Sequence, residues 1–180
     1  MWFIIISLML FIVYIIWVFN YHYKENKKMQ EEKETLRKKG RQYNAIYQGK
    51  YYHVCGLPLA ENSECILYLC NDKIVIESYG NIFKLQKDKI LDINTKTSKE
   101  IQNSISNAVG GAMLLGPIGA FLTGTSTEFH RFFIIIYKNK ENKEQCISFD
   151  MKDDMNKLKI TNQYIKDFKS RISNKQEIDL

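Results

Sequence analysis

Residues that carry chemistry are scarce in this chain. Histidine occurs three times, at His22, His53 and His130. There is no G-x-S-x-G elbow, no H-E-x-x-H pair and no glycine loop ending in Lys-Ser/Thr. The usual sequence grounds for a nucleophilic hydrolase, a zinc protease or a nucleotide-binding enzyme are therefore missing. Cysteine occurs four times, at Cys55, Cys65, Cys70 and Cys146. That is too sparse for a disulfide scaffold, and a Lys-rich chain expected to face the cytoplasm should keep its thiols reduced. His53, Cys55, Cys65 and Cys70 can be drawn as a zinc set, but the spacing is not the paired C-x₂-C type. Cys65 and Cys70 bracket an apolar run and read as small buried hydrophobes. His130, beside Glu128 and Arg131, reads as part of a solvated turn. Asp153-Asp154 fits a helix start, where carboxylates complement the dipole. The expectation is a protein that is not an enzyme and has no metal and no cofactor.

Charge is also missing where the chain begins. Trp2 to Phe19 is eighteen residues without a charge, Pro or Gly, and Ser7 is its one polar side chain. As a helix it would be about 27 Å long, near the thickness of a bilayer's hydrocarbon core. No Lys or Arg precedes the run and no small-residue cleavage site follows it, so it does not read as a cleaved signal peptide. Trp2, Tyr14, Trp17, Tyr21 and Tyr23 lie near its ends, where amphipathic rings favour the headgroup layer. Residues 1–23 are thus expected to be a transmembrane anchor. Lys24, Lys27, Lys28, Lys33, Arg37, Lys38 and Lys39 follow it. This asymmetry predicts a single-pass protein of the cell membrane, with its N-terminus outside and its C-terminal domain in the cytoplasm.

The net charge of +6 is uneven. Residues 24–50 hold a net +5, and residues 51–180 only +1. The domain itself is nearly neutral, which argues against nucleic acid as a partner. Lys24, Lys27, Lys28, Arg37, Lys38 and Lys39 are candidates for contact with anionic lipid or for setting topology. The topology role is favoured, because Glu25, Glu31, Glu32 and Glu34 dilute the patch. Residues 24–49 are rich in good helix formers and predict a charged helical stalk that stops near Gly40. Met29, Leu36 and Tyr43 recur every seven residues, too thin a stripe for a coiled coil.

Beyond Gly56-Leu57-Pro58 the pattern becomes β. Cys65–Cys70, Lys73–Glu77, Ile82–Leu85 and Ile90–Ile93 are short β-prone runs at hairpin spacing, with turn signals at Asn71-Asp72 and Gly80-Asn81. Phe132–Tyr137 and Cys146–Phe149 add two more, and Tyr51–Val54 is a possible seventh. Met151, Met155, Leu158, Ile165, Phe168 and Ile172 fall on one helical face, so one helix is expected over about residues 153–173, with Asp150 and Asp153 as candidate N-caps.

Consecutive antiparallel strands closed by one amphipathic helix resemble the pleckstrin-homology-like superfamily, and within it the bacterial PH-like and GRAM-like domains. The segments that carry the resemblance are HVCGLPLAENSECILYLCNDKIVIES, GNIFKLQKDKILDI and RFFIIIYKNKENKEQCISFDM. The resemblance implies a mainly β fold with helices. Residues 50–175 would form an antiparallel barrel or sandwich with a C-terminal capping helix. It also implies a binding or scaffolding role without catalysis. Some relatives bind phosphoinositides through a basic loop between the first two strands. Here that loop is the short, acidic Asn71-Asp72, so no lipid-binding residues carry over.

An uncharged insert, residues 101–127, interrupts the β pattern. Ala108, Ala112, Gly116, Ala120 and Gly124 recur every fourth residue, a spacing that lets helices approach closely. Pro117 would kink a helix or turn it into a hairpin. A second span is disfavoured, because it would put the later strands across the membrane from the earlier ones. The favoured reading is a hairpin that dips into the bilayer or packs on the anchor, giving membrane contact or self-association. The expected function is a membrane-anchored PH-like binding or scaffolding module. The partners would be the lipid bilayer and a protein partner or a second copy, with the ligand unnamed. The alternative is a small membrane-assembly protein that oligomerises through the Ala/Gly segment, with the β domain as a cap.

Overall fold

The computed structural model describes residues 2–107, 130–152 and 154–176. It divides into two compact units, Met1–Gln42 and Tyr43–Leu180.

The first unit is a single helix. α1 runs unbroken over Trp2–Tyr43. No Pro interrupts it, and Thr35 Oγ1 donates back to the Glu31 carbonyl at 2.8 Å, keeping its polarity inside the helix. It ends where Asn44 takes a left-handed φ of 55°, the conformation that terminates helices and that Asn tolerates better than most residues. The end comes a turn later than the Gly40 stop expected from sequence.

The expected transmembrane anchor needs correction. No helix among the described residues is long and apolar enough to cross a membrane. The uncharged run stops short of the roughly 20 apolar residues a span needs. The same helix then carries Asn20, His22 and Lys24, and the rest of its length is highly charged.

The second unit is built on one seven-stranded sheet. Its strands are β1 (Ala45–Cys55), β2 (Glu64–Cys70), β3 (Lys73–Ser78), β4 (Asn81–Gln86), β5 (Ile90–Thr97), β6 (Arg131–Lys138) and β7 (Glu144–Asp150). Between β5 and β6 lies α2 (Ser98–Asn107), and α3 (Met155–Gln176) follows β7. The order across the sheet is β4-β3-β2-β1-β7-β6-β5, and every pairing is antiparallel. This corrects the expected barrel or sandwich: there is one sheet, with β4 and β5 as its two edges.

β1 joins the two halves of the sheet. Residues from Ala45 to Tyr52 pair with β2, and Tyr52 to Cys55 pair with β7. The register slips between His53 and Cys55, and such a bulge bends a strand and increases its twist. One face of all seven strands can then gather around a common core. Tyr51, Leu67, Ile76, Ile93, Phe133 and Phe149 belong to it, and each is almost completely buried. Burying a side chain of this size favours folding by about 1.5–3 kcal/mol. Period-two alternation sends Tyr68, Cys70 and Val75 to the opposite face in one half, and Val54, Phe132 and Ile134 in the other.

α3 lies against this core through Thr161, Tyr164 and Phe168. The stripe expected from sequence differs at three residues. Met155 is 63% exposed, whereas Thr161 and Tyr164 are buried. The reason is polar. Tyr51 Oη and Thr161 Oγ1 are hydrogen-bonded at 2.7 Å, and Tyr164 Oη donates to the Cys70 carbonyl at 3.0 Å. The N-cap is Asp154, whose Oδ1 accepts from the Lys157 N–H at 3.0 Å. Asp150 serves elsewhere, and Asp153 lies outside the described residues. Hydrogen bonds Thr95–Asn162 and Lys169–Asn94, with an ion pair from Lys169 to Asp92 at 3.1 Å, fasten α3 to β5.

Candidate functional site

Several polar side chains of the sheet unit hold its strands and loops together. His53 is buried on β1. Its Nε2 accepts from the Leu57 N–H and its Nδ1 faces the Ala60 carbonyl, both at 3.2 Å. Two such partners require the proton on Nδ1. The ring braces the loop from β1 to β2 and leaves neither nitrogen for a metal.

Glu77, on β3, accepts from Tyr43 Oη at 2.8 Å and from Tyr68 Oη at 3.4 Å. The two tyrosine rings lie 5.0 Å apart. The hydrogen bond to Glu77 leads in raising the Tyr43 phenol above its ordinary pKa. Burial does so for Tyr68, with the Glu77 charge adding to it. Phenols held neutral around a carboxylate brace the sheet and supply no base near pH 7.

His130 is the residue whose setting departs most from expectation. It is partly buried, with Nδ1 2.8 Å from Asp150 Oδ2, and its ring stacks on Phe132 at 6.1 Å. Asp150 is itself buried, and its second oxygen accepts from the Lys152 N–H. The expected solvated turn is therefore an anchored corner. The His130 carbonyl also accepts from the Ser98 N–H and hydroxyl. Across from it, Thr97 and Glu100 form a reciprocal cap at the start of α2: the Thr97 N–H and hydroxyl donate to Glu100 Oε2, and the Glu100 N–H donates to Thr97 Oγ1. Sequence reasoning passed over this cap, although Thr97-Ser-Lys-Glu100 is a capping-box spacing.

The four cysteines are free, and Cys65 and Cys70 are buried, as their apolar surroundings suggested. Burial pushes the Cys55 thiol up to about 11 and the Cys146 thiol up to about 12. Raised thiols are poor nucleophiles.

The other candidate region is α1. Trp2, Phe3, Phe11, Trp17, Phe19 and Tyr23 are all exposed along its first half. Tyr14 stacks on Trp17 at 6.4 Å, and Trp17 on Tyr21 at 6.0 Å. Tyr21 Oη reaches Glu25 at 3.3 Å. Lys24, Lys27, Lys28, Arg37, Lys38 and Lys39 are exposed on the second half. Ala108, Ala112, Gly116, Ala120 and Gly124 lie outside the described residues, as does any hairpin they form. Only the start of the expected insert is described, as α2, whose Ile101 is buried against Val54, Phe132 and Ile134.

No protein-family model matches the chain, and no curated protein or solved structure matches it either.

Proposed function

We propose that this chain is a non-enzymatic binding or scaffolding module of the pleckstrin-homology-like kind, working at a membrane surface from the cytoplasmic side. The observation that carries the reading is the exposed apolar half of α1, with Trp17 63% and Phe19 74% exposed. A continuous apolar surface of this kind calls for an apolar neighbour. The run of strands ending in a helix that packs on the core supports the PH-like part. The binding role is supported by the polar side chains, which are used to hold the sheet: His53 on the loop after β1, Tyr43 and Tyr68 on Glu77, His130 on Asp150. Its ligand would be a protein partner or lipid headgroups.

The test is fractionation of cells expressing the full chain and a chain lacking residues 2–19. The reading expects the full chain with the membranes and the shortened chain in the supernatant, the shortened chain still folded as shown by a cooperative thermal melt. A full chain that stays in the supernatant refutes it.

A further inference from the structure

The apolar half of α1 does not end at random around the helix. Tyr14, Trp17, Tyr21, Lys24 and Lys28 follow at steps of three, four, three and four residues, so they share one face. The first three rings form a continuous stack along that face. Lys24 comes one turn after the last ring, and Lys27 flanks Lys24 and Lys28 within the same turn. All three lysines are exposed.

The turn next to the rings is net basic. Between 24 and 28 there are three lysines and Glu25, and Glu25 lies within reach of the Tyr21 hydroxyl. Glu31, Glu32, Lys33 and Glu34 come a turn farther along, and Arg37, Lys38, Lys39 and Arg41 beyond them. Glu25 is the one acid in the turn next to the rings, and three lysines outweigh it. Amphipathic rings that give way to lysines within about 10 Å of helix match the change from acyl chain to headgroup at a bilayer surface.

We infer that the Tyr14–Lys28 face of α1 is a seat for an anionic lipid surface, with the aromatic stack at the acyl–headgroup boundary and Lys24, Lys27 and Lys28 on the headgroups. The inference rests on the proposed membrane role and adds the lipid class. Charge complementarity commits it to a negative bilayer. A second copy of the same helix would set lysine against lysine in parallel register, at a cost in repulsion.

The test offers the full chain two vesicle populations at once, one of phosphatidylcholine and one of phosphatidylcholine with phosphatidylglycerol, separated afterwards by flotation. The natural sequence should favour the anionic vesicles, and added salt should erode the preference. At about 1 kcal/mol for each charge near the surface, Lys24→Gln, Lys27→Gln and Lys28→Gln together should reduce the preference about a hundredfold, leaving binding to neutral vesicles intact. Equal partition of the natural sequence between the two populations would overturn the inference and leave the membrane role standing. Binding to neither population would overturn both, and a defined dimer in that case would assign the apolar half of α1 to self-association.

Discussion

Gly56 gives the sharpest test of how β1 is placed. Its φ is +94°, and a Cβ built on it would stand 2.0 Å from the Cys146 carbonyl oxygen and 2.8 Å from Ile147 Cα. Gly80 is the natural control. Its φ is +82°, and a Cβ there meets nothing within 4 Å. Both positions impose the left-handed penalty on alanine, about 1–2 kcal/mol. Only Gly56→Ala adds a collision, and the atoms struck are backbone, which cannot rotate aside. β1 and β7 must separate near the Cys55–Ser148 pair. Losing two ladder hydrogen bonds adds about 2 kcal/mol at a typical 1 kcal/mol each. Gly56→Ala should therefore cost about 3–4 kcal/mol, and Gly80→Ala about 1–2. In thermal melts of the full chain in mild detergent, followed by tyrosine near-ultraviolet circular dichroism, this corresponds to a fall of about 10 °C or more against about 3–6 °C. Tryptophan fluorescence would miss the event, since both tryptophans are in α1. Equal falls for the two variants would refute the claimed approach of β1 to β7.

Other consequences can be measured on the same protein. His53→Ala should cost about 2–3 kcal/mol by leaving the Leu57 N–H and Ala60 carbonyl without their partner, and the Leu57 amide should lose hydrogen-exchange protection; unchanged protection would deny the ring its bracing role. Ser148 Oγ is buried without a partner among the described residues, so Ser148→Ala should be neutral or stabilising by up to about 1 kcal/mol, and a clear loss in urea melts would contradict that. Burial raises Tyr51 from 10.0 to about 12, and Cys55 and Cys146 from 9.0 to about 11 and about 12. Above the lower of each pair of values the unfolded chain has released the proton and the folded chain still holds it, so these three groups make stability decline from about pH 9 toward pH 12; a melting temperature that rises across this range would show the sign to be wrong. Finally, Gly116→Leu with Ala120→Leu tests the assembly alternative: unchanged oligomer size and membrane association would eliminate it.

The sheet was legible in the sequence where alternation and turn chemistry agree. β2, β3, β4, β6 and β7 lie within a residue or two of the apolar runs that announce them, because Asn71-Asp72, Gly80 and the polar stretch 138–144 delimit them. β1 was legible only from Tyr51 on. Gln48, Gly49 and Lys50 break its alternation, and what makes it an eleven-residue strand is pairing on both sides, a fact about β2 and β7. The polar contacts were hidden for a related reason: nothing local in Asp150 says that it will face His130, or in Glu77 that two phenols will point at it, since each needs the register of strands distant in sequence. The membrane span failed on length, because an eighteen-residue run sits at the border of what a bilayer requires. The PH-like resemblance, carried by strand order alone, found no relative to support it.

The corner at Ser98 and His130 has a consequence for how this protein can change. β5 and β6 stay in register as far as Thr97 and Arg131, and the Ser98 N–H then closes onto the His130 carbonyl. Everything between is, for the sheet, the tip of a hairpin. The entropy of closing a loop rises only with the logarithm of its length, about 0.6 kcal/mol for each doubling. A longer or shorter connection therefore changes the cost of closing β5 onto β6 only slightly, whereas a change at Ile101 would uncover Phe132 and Ile134. Two hydrogen bonds at the Ser98–His130 corner close the β5–β6 ladder, and the length of chain between adds little to what that closure costs.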